Sequence, residues 1–198
     1  MTNKKVSKLN RKQRAYLRQC LYDCEPTGED LYAIVDAAKD SSIPYFLEGL
    51  KANHRCLFKS EDALKLASVA PYLVKLEDAS NTVNWYLERV YGNGVGFILK
   101  SRESLEELLD FWSKKVETKI PGSEVKGFFR FYDPSILRDY IDILQEEGEL
   151  ESFFGQCSSL TVEDSTPEEI ITYRRNVTNN DSFSSERINL VETINNRA

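Results

Sequence analysis

Two carboxylates and one guanidinium carry the clearest suggestion of chemistry in this sequence. Asp36 ends the apolar run Leu31-Tyr-Ala-Ile-Val-Asp36. Asp133 follows Phe129-Arg-Phe-Tyr132, with Arg130 three residues before it. Acids at strand ends can hold a divalent cation through oxygen ligands, or work as a general acid and base. Each residue also has a structural use. Asp133 precedes Pro134 and suits a helix N-cap. Asp36 suits the turn that closes a strand, and Arg130 suits pairing with an acid on the sheet.

The other chemical motifs are weaker. Cys20, Cys24, His54 and Cys56 could be imagined around zinc, but their spacing is unlike a Cys-x2-Cys knuckle and they come from two distant segments. Leu17, Cys20, Leu21 and Cys24 instead make one apolar helical stripe, the pattern of core cysteines. His54 reads as a surface or satisfied histidine. A phosphate-cradling glycine loop follows a strand and opens a helix; Gly92-x-Gly94-x-Gly96 follows a helix and opens a strand, so it is a turn. Serine and cysteine nucleophiles lack a partner base, with one histidine in the chain and no Gly-x-Ser-x-Gly elbow. Asn176-Val-Thr178 matches a glycosylation sequon that a cytoplasmic chain does not use. No resident metal or cofactor is expected.

These residues need elements to position them, and the composition provides for a core. The chain has 198 residues, of which 41% are hydrophobic and 11% aromatic, enough for one globular domain with a small annex. It contains no membrane-length apolar run, and its basic start has no apolar segment behind it, so neither a span nor a secretory signal is expected. With unpatterned thiols, this points to a reducing cytoplasm. The net charge of −6 argues against nucleic-acid binding by the whole body. Residues 1–22 carry seven of the 26 basic residues and none of the 32 acidic ones. That arm is either a solvated helix face or a binder of an acidic partner or phosphate backbone.

Periodicity sets the element order. A helix is expected over about 8–24, ended by the turn Glu25-Pro26-Thr27-Gly28. Strands are expected at 31–36, 56–58, 69–76, 95–100 and 127–132, with Pro71 at a strand start or edge. Helices are expected after Ser42 (Ile43, Phe46, Leu47 and Leu50 inward), after Ser80 (Val83, Leu87 and Val90 inward) and after Ser101 (Leu105, Leu108, Leu109 and Trp112 inward). A short acidic helical turn is expected at 61–66, and a break at Pro121-Gly122. Asp133-Pro134 starts a helix lined by Leu137, Tyr140, Ile141 and Leu144, which Gly148 breaks before Leu150–Phe154. Thr166-Pro167-Glu-Glu would start one more helix through Tyr173, before a loosely held end rich in Asn and Ser.

The alternation predicts an α/β fold with a mixed or mostly parallel sheet of about five strands and flanking helices. The expected divisions are a basic arm at 1–28, an α/β domain at 29–157 and a polar helical or irregular tail at 158–198. The residues alone give a cytoplasmic domain without an assembled catalytic site.

The order of segments adds a resemblance. Leu31–Ala37, Ala70-Pro-Tyr-Leu-Val-Lys-Leu76, Trp85, Gly94–Ser101 and Phe129-Arg-Phe-Tyr-Asp-Pro134 follow one another as in the type VI secretion effector-adaptor, or effector-chaperone, family. The sequence resembles that family over about residues 31–155. The resemblance implies no enzymatic activity. It implies a cytoplasmic adaptor that binds a toxic effector and helps load it onto the valine-glycine-repeat spike protein. Asp36, Pro71, Tyr72, Arg130, Tyr132, Asp133 and Pro134 would be its signature positions, structural or partner-binding. Masking a client calls for an exposed aromatic patch, for which Tyr72, Trp85, Tyr91, Trp112 and Phe153 are the candidates. Each has a core aromatic as its alternative, and Trp112 lies on an inward stripe. Two other readings stand beside the adaptor: a metal-dependent enzyme using Asp36 and Asp133, and a binder of acidic partners or nucleic acid through the basic N-terminal arm.

Overall fold

The computed structural model describes residues 9–22, 28–59, 65–77, 81–119, 126–176 and 182–195. Cys24, the turn residues 25–27, the acidic turn over 61–64, Ser80, the Pro121-Gly122 break and residues 177 and 178 of the sequon lie outside them.

The chain runs α1 (Arg11–Tyr22), β1 (Asp30–Asp36), α2 (Ile43–Gly49), β2 (His54–Cys56), β3 (Pro71–Lys75) and α3 (Asn81–Trp85). One turn of π-helix, Tyr86–Val90, continues α3. Then come β4 (Gly96–Ser101), α4 (Leu105–Val116), β5 (Glu117–Lys119), β6 (Lys126–Phe128), α5 (Pro134–Glu147) and α6 (Leu150–Phe154). The chain closes with β7 (Cys157–Glu163), β8 (Glu169–Arg175), β9 (Phe183–Asn189) and α7 (Leu190–Asn195).

Seven strands form one sheet in the order β2-β3-β1-β4-β7-β8-β9, and β5 pairs with β6 in a small separate hairpin. Every pairing among the described residues is antiparallel. The fold is therefore mixed α and β, and two expectations change. The sheet is neither mixed nor mostly parallel, and it has seven strands rather than about five. Alternating helices and strands do not require parallel crossovers. Here β1 lies between β3 and β4 and runs against both.

The C-terminal part changes most. Cys157–Glu163, Glu169–Arg175 and Phe183–Asn189 form three sheet strands where a helical or irregular tail was expected. Thr166-Pro167 makes a hairpin turn, in which Glu169 N donates to Thr166 O at 3.1 Å. Ile170, Ile171, Thr172 and Tyr173 then follow as a buried run in β8. Their β-branched and aromatic side chains suit a pleated, buried surface better than a helix. The expected strand at 127–132 is shorter, ending at Phe128.

Helix ends explain two further boundaries. Ser104 rather than Ser101 caps α4, in a reciprocal capping box with Glu107. Asp133 caps α5, Pro134 opens it, and Gly148 closes it in the left-handed conformation. The core of one sheet face is aromatic. Trp112 of α4 stacks on Phe131 at 5.3 Å and meets Phe97 of β4 and Phe153 of α6 edge-on at 5.9 and 5.4 Å. α1 lies over the other face, packed on α7. Among the described residues no helix is long and apolar enough to cross a membrane.

Candidate functional site

The antiparallel order gathers the sequence-predicted acids at one end of the sheet. β1 ends there at Asp36, β3 and β4 begin there at Pro71 and Gly96, and β7 ends there at Glu163. Asp36 pairs in register with Pro71, and its N–H donates to Val95 O at 2.7 Å. Pro71 opens an interior strand, where its missing N–H costs the ladder least.

The Asp36 carboxylate is fully buried. One oxygen accepts the Ala38 N–H at 2.9 Å and the other accepts from Arg130 Nη2 at 2.5 Å. That bond holds the Arg130 guanidinium more firmly protonated than usual. Arg130 comes from the loop between β6 and α5 and is partly open to solvent. Its neighbour Tyr132 is pushed up to about 12, first by burial and then by the Asp36 charge.

Asp133 does two things at once. Its Oδ1 accepts from Ser135 N and Oγ at 3.1 and 2.8 Å, which caps α5. Its Oδ2 meets Lys39 Nζ at 2.7 Å. Burial lifts the Asp133 carboxyl, but Ser135 and Lys39 outweigh it and hold the group below its usual range.

Lys39 and Glu163 complete the cluster, and the sequence did not single out either. The Glu163 carboxylate accepts the Gly92 N–H at 2.6 Å and a further backbone bond from Gly94. A Cβ at Gly94 would sit 3.5 Å from Glu163 Oε1 and 3.6 Å from Lys39 Nζ, so the loop, the acid and the amine are in contact range. Burial pushes the Glu163 carboxyl up, against the pull of those amides, Arg138 and Lys39. Arg138 of α5 donates to Glu163 O at 2.7 Å and lies 3.8 Å from the Asp164 carboxylate. The glycine turn thus binds an anion after all, but the anion is the protein's own. The available signal was an acid closing an apolar strand, Leu160-Thr-Val-Glu163, the same pattern that marked Asp36.

Four signature positions, Asp36, Arg130, Tyr132 and Asp133, therefore meet in one place, with Pro71 and Pro134 beside them. Tyr72 lies farther along β3, where its hydroxyl donates to Ala67 O at 2.9 Å. Each carboxylate is engaged by a cation, a backbone N–H or both. The chemistry on show is charge pairing that locks loops to strand ends. Among the described residues no group of three or more His, Cys, Asp or Glu is placed to hold a metal ion. Cys20 and Cys56 are half-buried and Cys157 is buried, and His54 Nδ1 lies 2.8 Å from Ala52 O.

The five candidate surface aromatics are all inside the chain. Tyr72, Trp85, Tyr91, Trp112 and Phe153 are between 0 and 7% exposed, so they form no open patch. Large aromatics at helical spacing fill a core before they cover a surface. The large apolar side chains that do face outward include Tyr45 at 74%, Ile143 at 49% and Phe128 at 48%, the last stacked on Phe58.

Comparison with known proteins gives one match. No curated protein and no solved structure matches the chain. The family profile described as a domain of unknown function, DUF4123, matches residues 31–149, the stretch that runs from β1 through α5 and holds Asp36, Lys39, Gly92, Arg130 and Asp133. The match spans more than half of the chain, and the protein belongs to this family.

Proposed function

We propose that this protein is a non-enzymatic cytoplasmic adaptor of the type VI secretion system. It binds a toxic effector and helps load it onto the valine-glycine-repeat spike protein. The observation that carries this is the ordered set of segments from Leu31–Ala37 to Phe129–Pro134, which resembles the effector-adaptor family and falls within the matched stretch 31–149. The sheet-end cluster supports the same role. Its carboxylates are spent on internal pairs, which suits a rigid scaffold better than a poised acid and base. The signature positions would then hold the Arg130 loop and the start of α5 in the shape that a partner recognises.

A tagged pull-down from the native cytoplasm, with bound proteins identified by mass spectrometry, tests this. The expected result is a large toxin or a spike protein at near-equal stoichiometry, together with loss of that toxin's secretion when the adaptor gene is deleted. Unaltered secretion with no toxin or spike bound would overturn the proposal.

A further inference from the structure

The sheet ends on β9, and the hydrogen-bond register shows which of its backbone groups are open. Asn176 N donates to Ser182 O at 2.9 Å and Leu190 N donates to Glu168 O at 2.8 Å. Antiparallel ladders alternate, so the even-numbered residues of β9 bond β8, while Phe183, Ser185 and Arg187 turn their N–H and C=O groups to the free side. Among the described residues β9 is the last strand in the order. Ser184, Ser185, Glu186 and Arg187 are exposed. Among the described residues the edge closes only at its C-terminal end, where Asn189 O accepts from Thr193 Oγ1 at 2.8 Å. β9 pairs with β8 over seven residues without proline or register shift. The opposite edge, β2, is three residues long. A long regular edge is a template for another strand.

We propose that this edge pairs with the same edge of a second copy of the chain, giving a two-fold antiparallel dimer centred on Ser185. A two-fold axis normal to the sheet keeps side chains on their own faces, so each register is fixed by its central residue. Centring on Glu186 sets carboxylate against carboxylate, and centring on Arg187 sets guanidinium against guanidinium; both are destabilising. Centring on Ser185 avoids both. It places Phe183 opposite the partner's Arg187, and Ser184 opposite the partner's Glu186.

The surroundings match that register. Beside Phe183 lies a cavity of about 390 Å³ lined by Gln145, Gly148, Leu150, Glu151 and Phe183. Glu151 lies 3.4 Å from Arg175 of its own chain, which also sits over the Phe183 ring. Arg187 lies 3.4 Å from its own Asp164. In the dimer the partner's Arg187 would leave Asp164 and approach the Glu151 carboxylate from the free side of the Phe183 ring. On the other face, Ser184 is small and its neighbour across the ladder is Arg174. Arg174 already lies 4.0 Å from Glu186 of its own chain, and the partner's Glu186 would approach it over Ser184. On the Ser184 face the edge asks for an acid, and β9 itself carries one at Glu186. The interface is one strand wide, so the dimer belongs to the small, reversible class.

Ser185→Pro is the decisive variant. It removes a free-side N–H and leaves the β8 ladder intact, the setting in which edge strands tolerate proline. Sedimentation equilibrium of the full chain should show a monomer–dimer equilibrium that Ser185→Pro weakens at least about tenfold. Arg187→Glu should weaken it as well. Hydrogen exchange should show the Phe183, Ser185 and Arg187 amides protected at high protein concentration and open at low. Three results overturn the proposal: a monomer at every concentration up to about 1 mM; a dimer indifferent to Ser185→Pro in a variant whose circular dichroism matches wild type; or protection of these amides only when a client protein is added. The last would assign the edge to the client instead.

Discussion

A buried carboxylate must be paired, hydrogen-bonded or protonated, and three acids at one sheet end meet that requirement differently. Asp36 has a guanidinium, Asp133 has an amine and a helix start, and Glu163 has mainly backbone amides. The difference shows in their titration. Burial and partners leave Glu163 with a raised pKa, so the folded chain holds its proton more tightly than the unfolded chain does. A raised carboxyl contributes stability below its unfolded pKa and loses that contribution as pH rises through the folded value. Glu163→Gln has no such titration. The stability of the wild type relative to Glu163→Gln should therefore fall as pH rises above the ordinary glutamate value of about 4.3. Urea unfolding of both proteins at increasing pH measures it. A difference independent of pH would mean that the loop amides fully compensate the burial. Asp133 is held below its usual range and acts in the opposite sense, so its contribution is lost as pH falls. The paired comparison cancels it.

At the scale of elements, the tightest constraint is where β1 and β4 meet. Gly96 opens β4 opposite Val35. A Cβ there would lie 2.0 Å from the Ile34 carbonyl oxygen, which is backbone and cannot swing away. Gly96→Ala must push apart the two central strands, and it should cost about 3 kcal/mol or more, above the usual range for overpacking. Thermal and urea unfolding check it; a loss under about 1 kcal/mol would show that the pairing is looser than the geometry implies. This glycine also marks how far the sequence was legible. Its place in a turn that opens a strand was evident, as were the Asp133-Pro134 start and the Leu105, Leu108 and Trp112 stripe, because these signals are local. Strand direction was not evident, because pairing partners far apart in sequence decide it. The β8 run was masked by Thr166-Pro167-Glu-Glu, which serves equally as a helix start or a hairpin turn. The sheet-end site was half legible. Asp36, Arg130 and Asp133 stood out by type and position, whereas Lys39 and Glu163 joined them only through the antiparallel order of β1, β4 and β7.

For the whole molecule, the matched family stretch and the folding unit do not coincide. The match ends at residue 149, yet β7 pairs with β4, a central strand of the sheet, and supplies Glu163 to the charge cluster. Leu160 and Val162 of β7, with Ile170 and Ile171 of β8, are each at most 2% exposed. Burying such a side chain contributes about 1.5–3 kcal/mol, so these four alone bring about 6–12 kcal/mol. The net stability of a domain is about 5–15 kcal/mol, and a chain without them has little left to spend. It would also bare the β4 edge and remove α7, on which α1 packs. A chain ending at Glu149 should therefore be insoluble, or compact without cooperative unfolding or a near-ultraviolet dichroism signal from Trp112. A soluble monomer that unfolds cooperatively and keeps that signal would show that β1–β4 and α4–α5 form an independent unit. The expected failure has a functional corollary. β7–β9 are then part of the scaffold that holds Asp36, Arg130 and Asp133 in place, and partner binding can be tested only on the full chain, by point substitutions on its surface.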